Sequence, residues 1–110
     1  MVMERADIDR VRLWCRDRSP QDRWAVERLE CDVTGRHLDL VHVRIVPGGD
    51  DVRTPIARLL YTGQTRRWTL QWRDSGGRFQ AYRHFPAVHD VREILGFLAE
   101  DPDPLFWPPD

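Results

Sequence analysis

The chain contains no lysine and no asparagine, and all seventeen of its Lys/Arg-type cations are arginine. Both missing residues use AT-rich codons, so their absence points to a GC-rich bacterial genome. It also leaves guanidinium, which pairs with carboxylate or phosphate through two parallel hydrogen bonds, as the only strong cation available. Cysteine is scarce: Cys15 and Cys31 lie far apart in sequence, which excludes a zinc-finger or CxxC spacing. Reduced thiols in a cytosol are the expected state, although two cysteines also permit one disulfide. Long apolar runs are missing, since stretches such as Leu59-Leu60-Tyr61 and Leu105-Phe106-Trp107 stop at three residues. A helical membrane span needs about 20 apolar residues, so no membrane partner is expected. Glu4, Arg5, Asp7, Asp9 and Arg10 crowd the start, so no secretory signal is expected and the predicted location is the cytoplasm.

Serine occurs only at Ser19, before a proline, and at Ser75, within a turn cluster. Neither position resembles the strand-to-helix elbow that exposes a catalytic nucleophile. The glycine pairs Gly48-Gly49 and Gly76-Gly77 do not open a helix in the way a phosphate-cradling loop requires. His37, His42, His84 and His89 show no spacing that brings three or four ligands together, so no metal and no cofactor are expected.

What is present is an ordinary globular composition. The 110 residues are 41% hydrophobic and 32% charged, enough for one domain spanning 1–110 with its own core. The formal net charge is −1, but residues 53–83 hold seven arginines against Asp74 alone. Residues 84–110 hold Arg92 against six acids. A basic middle between acidic ends fits either an anionic partner or internal pairing of the ends with the middle.

The pattern predicts an N-terminal helix over about 4–17, where Ile8, Val11 and Cys15 share one face. Strands are expected at about 24–33, 37–46, 56–62, 67–73 and 78–83. Val41, Val43 and Ile45 alternate with His42 and Arg44, and Trp68, Leu70 and Trp72 alternate with polar residues. A second helix is expected over about 91–100, with Asp90 as N-cap and Glu93 completing a capping box. The tail 102–110 is apolar enough that Phe106 and Trp107 are expected to dock on the sheet. Short connections with turn chemistry make the sheet an antiparallel meander, and the fold α+β, with the C-terminal helix on one sheet face.

A series of residues supports the same architecture by likeness. Trp14-Cys15, Arg53-Thr54-Pro55-Ile56-Ala57-Arg58, Tyr61, Trp68-Thr69-Leu70-Gln71-Trp72-Arg73-Asp74, Gly77-Arg78, Tyr82, Asp101-Pro102 and Phe106-Trp107 follow in order. The chain thereby resembles a bacterial family, the domain of unknown function numbered 3024, over nearly its whole length. Phe79 stands where that family's pattern suggests tryptophan, and Pro108 where it suggests glycine. The resemblance implies a fold class and brings no activity, cofactor or partner with it.

Strand parity then nominates a surface. With Trp68, Leu70, Trp72, Ala57, Leu59, Tyr61, Phe79 and Ala81 turned inward, the outward set is Arg58, Arg67, Arg73 and Arg78 around Leu60, Gln80 and Tyr82. Arg58, Arg67, Arg73, Arg78 and Tyr82 are the candidate binding residues. They point to a non-catalytic binding or interaction module that takes a protein partner or an anionic ligand. A single-stranded nucleic acid, bound by phosphate contact and stacking, is an alternative that the near-zero net charge disfavours. A small enzyme clamping an anionic substrate with Arg44, Arg53 and His84 is the other alternative. No catalytic residue is assigned.

Overall fold

Turn chemistry and alternation produce seven elements in the expected order. The structure, a computed structural model, describes residues 3–18 and 26–100. Helix α1 covers Arg5–Arg18. Five strands follow: β1 Glu27–Thr34, β2 His37–Arg44, β3 Val52–Thr62, β4 Arg67–Arg73 and β5 Phe79–Ala81, and helix α2 runs over Val91–Ala99. The strands pair antiparallel in the order β1-β2-β3-β4-β5, so each lies beside its sequence neighbour. No described helix is long and apolar enough to cross a membrane. The expectations for Trp24-Ala25 at the start of the first strand, and for the docked tail 102–110, fall outside the described residues.

The β1–β2 hairpin closes on Gly35, whose φ of +30° lies in the region glycine adopts without a Cβ penalty. The third strand starts four residues earlier than its sequence pattern suggests, taking in Val52, Arg53, Thr54 and Pro55. Pro55 has no N–H for a ladder, and it is tolerated here because the β2–β3 register shifts between Leu40 and Val41. The shift leaves Ile56 beside Ala57 as an extra residue on β3, and both are buried.

One sheet face forms the core with both helices. Val11 and Cys15 of α1 meet Leu29, Leu38, Leu40, Leu59, Trp68 and Leu70, and Val91, Ile94, Leu95 and Leu98 of α2 close the same cluster. Asp90 caps α2 as expected, its side chain accepting the Arg92 N–H at 2.9 Å. Trp68 is fully buried and bridges to Val88, which ties the segment ahead of α2 to β4.

The facings of residues 78–82 differ from the sequence reading. β5 pairs Phe79 with Arg73, Gln80 with Trp72 and Ala81 with Gln71. Directly opposed residues share a face, so Phe79 and Ala81 belong to the outer face, and Gln80 to the inner one; Arg78, paired with Asp74 at the turn, follows the parity of Gln80 and leaves the outer set to which the sequence pattern assigned it. Tyr82 continues the inner parity: its N–H donates to the Leu70 carbonyl at 2.9 Å, and it is buried, with its ring centroid 5.8 Å from that of Phe97. Tyr82 therefore presents no exposed ring on the outer face. Trp72 keeps its inward facing but is only partly buried. Its cross-strand neighbour is Gln80 on a strand of three residues, too little to cover an indole.

Candidate functional site

The outer face divides into two halves of different electrostatic character. In the β1–β3 half the register sets Asp32 directly opposite Asp39, a repulsive arrangement if left alone. Arg53 donates to Asp32 at 2.7 and 2.9 Å and to Glu30 at 2.6 Å. Arg28 donates to the other Glu30 oxygen at 2.6 Å. Arg58 donates to both Asp39 oxygens at 2.8 and 3.1 Å, and its guanidinium carbon lies 4.1 Å from the Phe79 ring centroid. Three arginines thus meet three carboxylates. Hydrogen bonds from Arg53, then from Arg28, hold the Glu30 carboxyl below its ordinary value, and the same contacts raise Arg53. Val41 and Val43 lie on this face by register, opposite Glu30 and Arg28, and are buried although they stand outside the helix-side core.

The β4–β5 half carries cations without such partners. Among the described residues no ion pair joins Arg67, Arg73, Arg78 or Arg83 to an acid. Arg67 and Arg73 open and close β4 on the outer face, and Arg78 and Arg83 flank β5. The Arg73 guanidinium rests on the β4–β5 turn, where a Cβ added to Gly77 would meet its Nη2 at 3.2 Å. Gly77 has a φ of +82°, so the turn requires glycine twice over. The nearest acid in sequence, Asp74, is committed to the turn. It accepts from the Gly76 and Arg78 N–H groups at 2.9 Å each and from Gln80 Nε2 at 3.0 Å, which lowers its carboxyl, with the Gln80 bond contributing most.

An open cleft of about 640 Å³ runs along this end of the sheet, lined by Trp72, Asp74, Gln80, Ala81, Tyr82, Arg83 and His84. The exposed part of Trp72 gives it an apolar wall. Arg83 gives it a cationic one, and the His84 ring stands edge-on to Tyr82 at 5.3 Å. A second recess of about 370 Å³ lies between the start of α1 and the β3–β4 turn, lined by Glu4, Asp7, Arg10, Tyr61, Arg66, His89 and Asp90. Part of its charge is already engaged: Asp7 pairs with Arg10 at 3.0 Å, and Asp90 pairs outside the recess with Arg92 at 2.6 Å.

The five candidate residues therefore separate. Arg73 and Arg78 sit at the β4–β5 turn, Arg67 lies at the opposite end of β4, Arg58 is bound to Asp39, and Tyr82 is in the core. Arg44, Arg53 and His84 are not brought together: Arg44 and Arg53 belong to β2 and β3, and His84 lies beyond β5, with β4 between. No group of three or more His, Cys, Asp or Glu side chains converges as a metal site among the described residues. Neither cysteine is in a disulfide, and burial raises both thiols, Cys15 to about 12 and Cys31 to about 11. The turn chemistry of Asp74 and a strand over about 78–83 were visible as sequence features, but the cleft was not, because it exists only once β5 takes the register that turns Gln80 and Tyr82 inward.

No curated protein and no solved structure matches the chain significantly. The family model described as domain of unknown function (DUF3024) matches residues 2–108, and the chain belongs to that family.

Proposed function

We propose that the protein is a small non-catalytic binding module of the bacterial cytoplasm that engages an acidic partner protein through the β4–β5 end of its sheet. The observation that carries this reading is the charge division of the outer face. Arg28, Arg53 and Arg58 are each held by carboxylates, whereas Arg67 and Arg73 on the outer face have no ion pair among the described residues, and Arg78 adds a further cation at the β4–β5 turn. Binding a carboxylate-rich surface there gains new ion pairs without breaking existing ones. The absence of lysine and asparagine suits a GC-rich bacterial genome, and two cysteines outside any disulfide suit a reducing cytoplasm.

The test is a titration of the folded protein against fluorescently labelled poly-L-glutamate, with a single-stranded oligonucleotide and poly-L-lysine as comparisons. Saturable binding of poly-L-glutamate that weakens with salt is expected. Absence of that binding at low salt overturns the proposal. Tighter binding of the oligonucleotide would replace it with the nucleic-acid alternative.

A further inference from the structure

We propose that an acidic partner binds as an added strand on β5: an extended segment with alternating acidic and apolar residues, its backbone paired to Phe79 and Ala81. The inference rests on the acidic-partner reading above and specifies how that partner docks.

The backbone parity of β5 sets the edge. The Asp74 N–H donates to the Arg78 carbonyl at 2.8 Å, and the Tyr82 N–H donates to the Leu70 carbonyl at 2.9 Å. Hydrogen-bonded pairs in an antiparallel ladder recur every second residue, so Gln80 is the β5 residue whose N–H and C=O face β4. The N–H and C=O groups of Phe79 and Ala81 point the other way, where the sheet has no further strand among the described residues. That exposed row is a template for an incoming strand.

The surroundings decide the kind of strand. A second copy pairing through the same edge would bring Arg73, Arg78 and Arg83 against their own equivalents, which disfavours self-association. An acidic strand meets the opposite situation. Residues of the added strand opposite Phe79 and Ala81 share the outer face with Arg73, so acidic side chains suit those positions. Residues opposite Gln80 fall on the cleft side, beside the partly buried Trp72. An apolar side chain suits those positions. The other sheet edge, β1, lacks this character, because Glu30 and Asp32 on it already hold Arg28 and Arg53.

The experiment uses the full chain and an acetylated, amidated octapeptide alternating glutamate with valine, followed by amide exchange in two-dimensional NMR. Saturating peptide should slow exchange of the Phe79 and Ala81 amides by about tenfold or more, with Gln80, already bonded to β4, changing little. Methylating the peptide nitrogens that face the edge should abolish binding, and methylating the other set should preserve it. Ala81→Pro removes one edge donor without removing a bond to β4, and should weaken the peptide while the melting temperature stays within a few degrees. If Ala81→Pro unfolds the protein, the two methylated peptides on the unaltered chain decide the matter. Peptide binding with unchanged Phe79 and Ala81 exchange overturns strand addition and leaves the acidic-partner reading standing. Failure of both the octapeptide and poly-L-glutamate to bind overturns both.

Discussion

Arg58 grips Asp39 through two hydrogen bonds, at 2.8 and 3.1 Å, while its guanidinium lies over the ring of Phe79. The contact links three strands, since Asp39 is on β2, Arg58 on β3 and Phe79 on β5. It is half-shielded: the Arg58 and Asp39 side chains are 28% and 16% exposed. Replacing Arg58 by Ala removes the ion pair and the cation–ring contact and leaves Asp39 across from Asp32, at a cost of about 1–3 kcal/mol. Arg58→Lys should recover less than half of that, because ammonium cannot make the bidentate contact. Urea unfolding measures both, and an unchanged midpoint for Arg58→Ala would show the contact to be inert.

Two tryptophans on one strand face should behave differently. Trp68 is fully buried, and Trp68→Ala should cost about 3–5 kcal/mol, enough to unfold a marginal domain. Trp72 is partly buried beside the cleft, so Trp72→Ala should cost about 1–2 kcal/mol and leave a folded protein. Thermal melts of the pair are the check; equal losses would contradict the assigned burial.

These facings show how far the residues speak for themselves. Val11 and Cys15 at helical spacing, Trp68 and Leu70 at strand spacing, and Asp90 ahead of α2 each carry a local signal strong enough to place the element. The start of β3 carried no such signal, because Pro55 reads as a loop residue until the β2–β3 irregularity gives it a place. For β5 the alternation of Phe79, Ala81 and Tyr82 is ambiguous by one residue. A one-residue slip exchanges its faces, and only the Arg73–Phe79 register resolves it. The division of arginines was equally hidden. Nothing in the spacing of Arg58 and Arg73 tells which one finds Asp39 across the sheet.

The thiols should be inert in the native protein. At pH 8 a thiol at the ordinary value of 9.0 is about one-tenth thiolate, whereas Cys31 at about 11 carries about a hundredfold less. Cys15, at about 12 and buried, carries less still. Labelling with a disulfide reagent should therefore be slow in buffer and rapid in denaturing urea. Fast labelling of both cysteines without urea would contradict their burial.

Acid should weaken the fold through the paired carboxylates. Glu30 is held below its ordinary 4.5 by Arg53 and Arg28, and Asp90 is lowered from 3.8 to about 2 by Arg92. A depressed carboxyl contributes stability above its unfolded value and loses that contribution as pH falls through its folded value. Unfolding free energy should thus be level above about pH 5 and decline progressively toward pH 2. Glu30→Gln should flatten the part of the decline that begins near 4.5. A decline of the same steepness in Glu30→Gln would show that Glu30 takes no part in it.

The most direct test of the account compares charge reversal at the β4–β5 end of the sheet with charge reversal in its paired β1–β3 half, using poly-L-glutamate binding as the readout. Arg73→Glu and Arg78→Glu, at the unpaired end, should together reduce affinity by about tenfold or more while the protein stays folded. Arg53→Glu, within the paired half, should lower stability and change affinity by about twofold at most, since that arginine is already occupied by Glu30 and Asp32. Equal loss of binding from the two halves, or loss from Arg53→Glu alone, would contradict a binding surface at the β4–β5 end of the sheet.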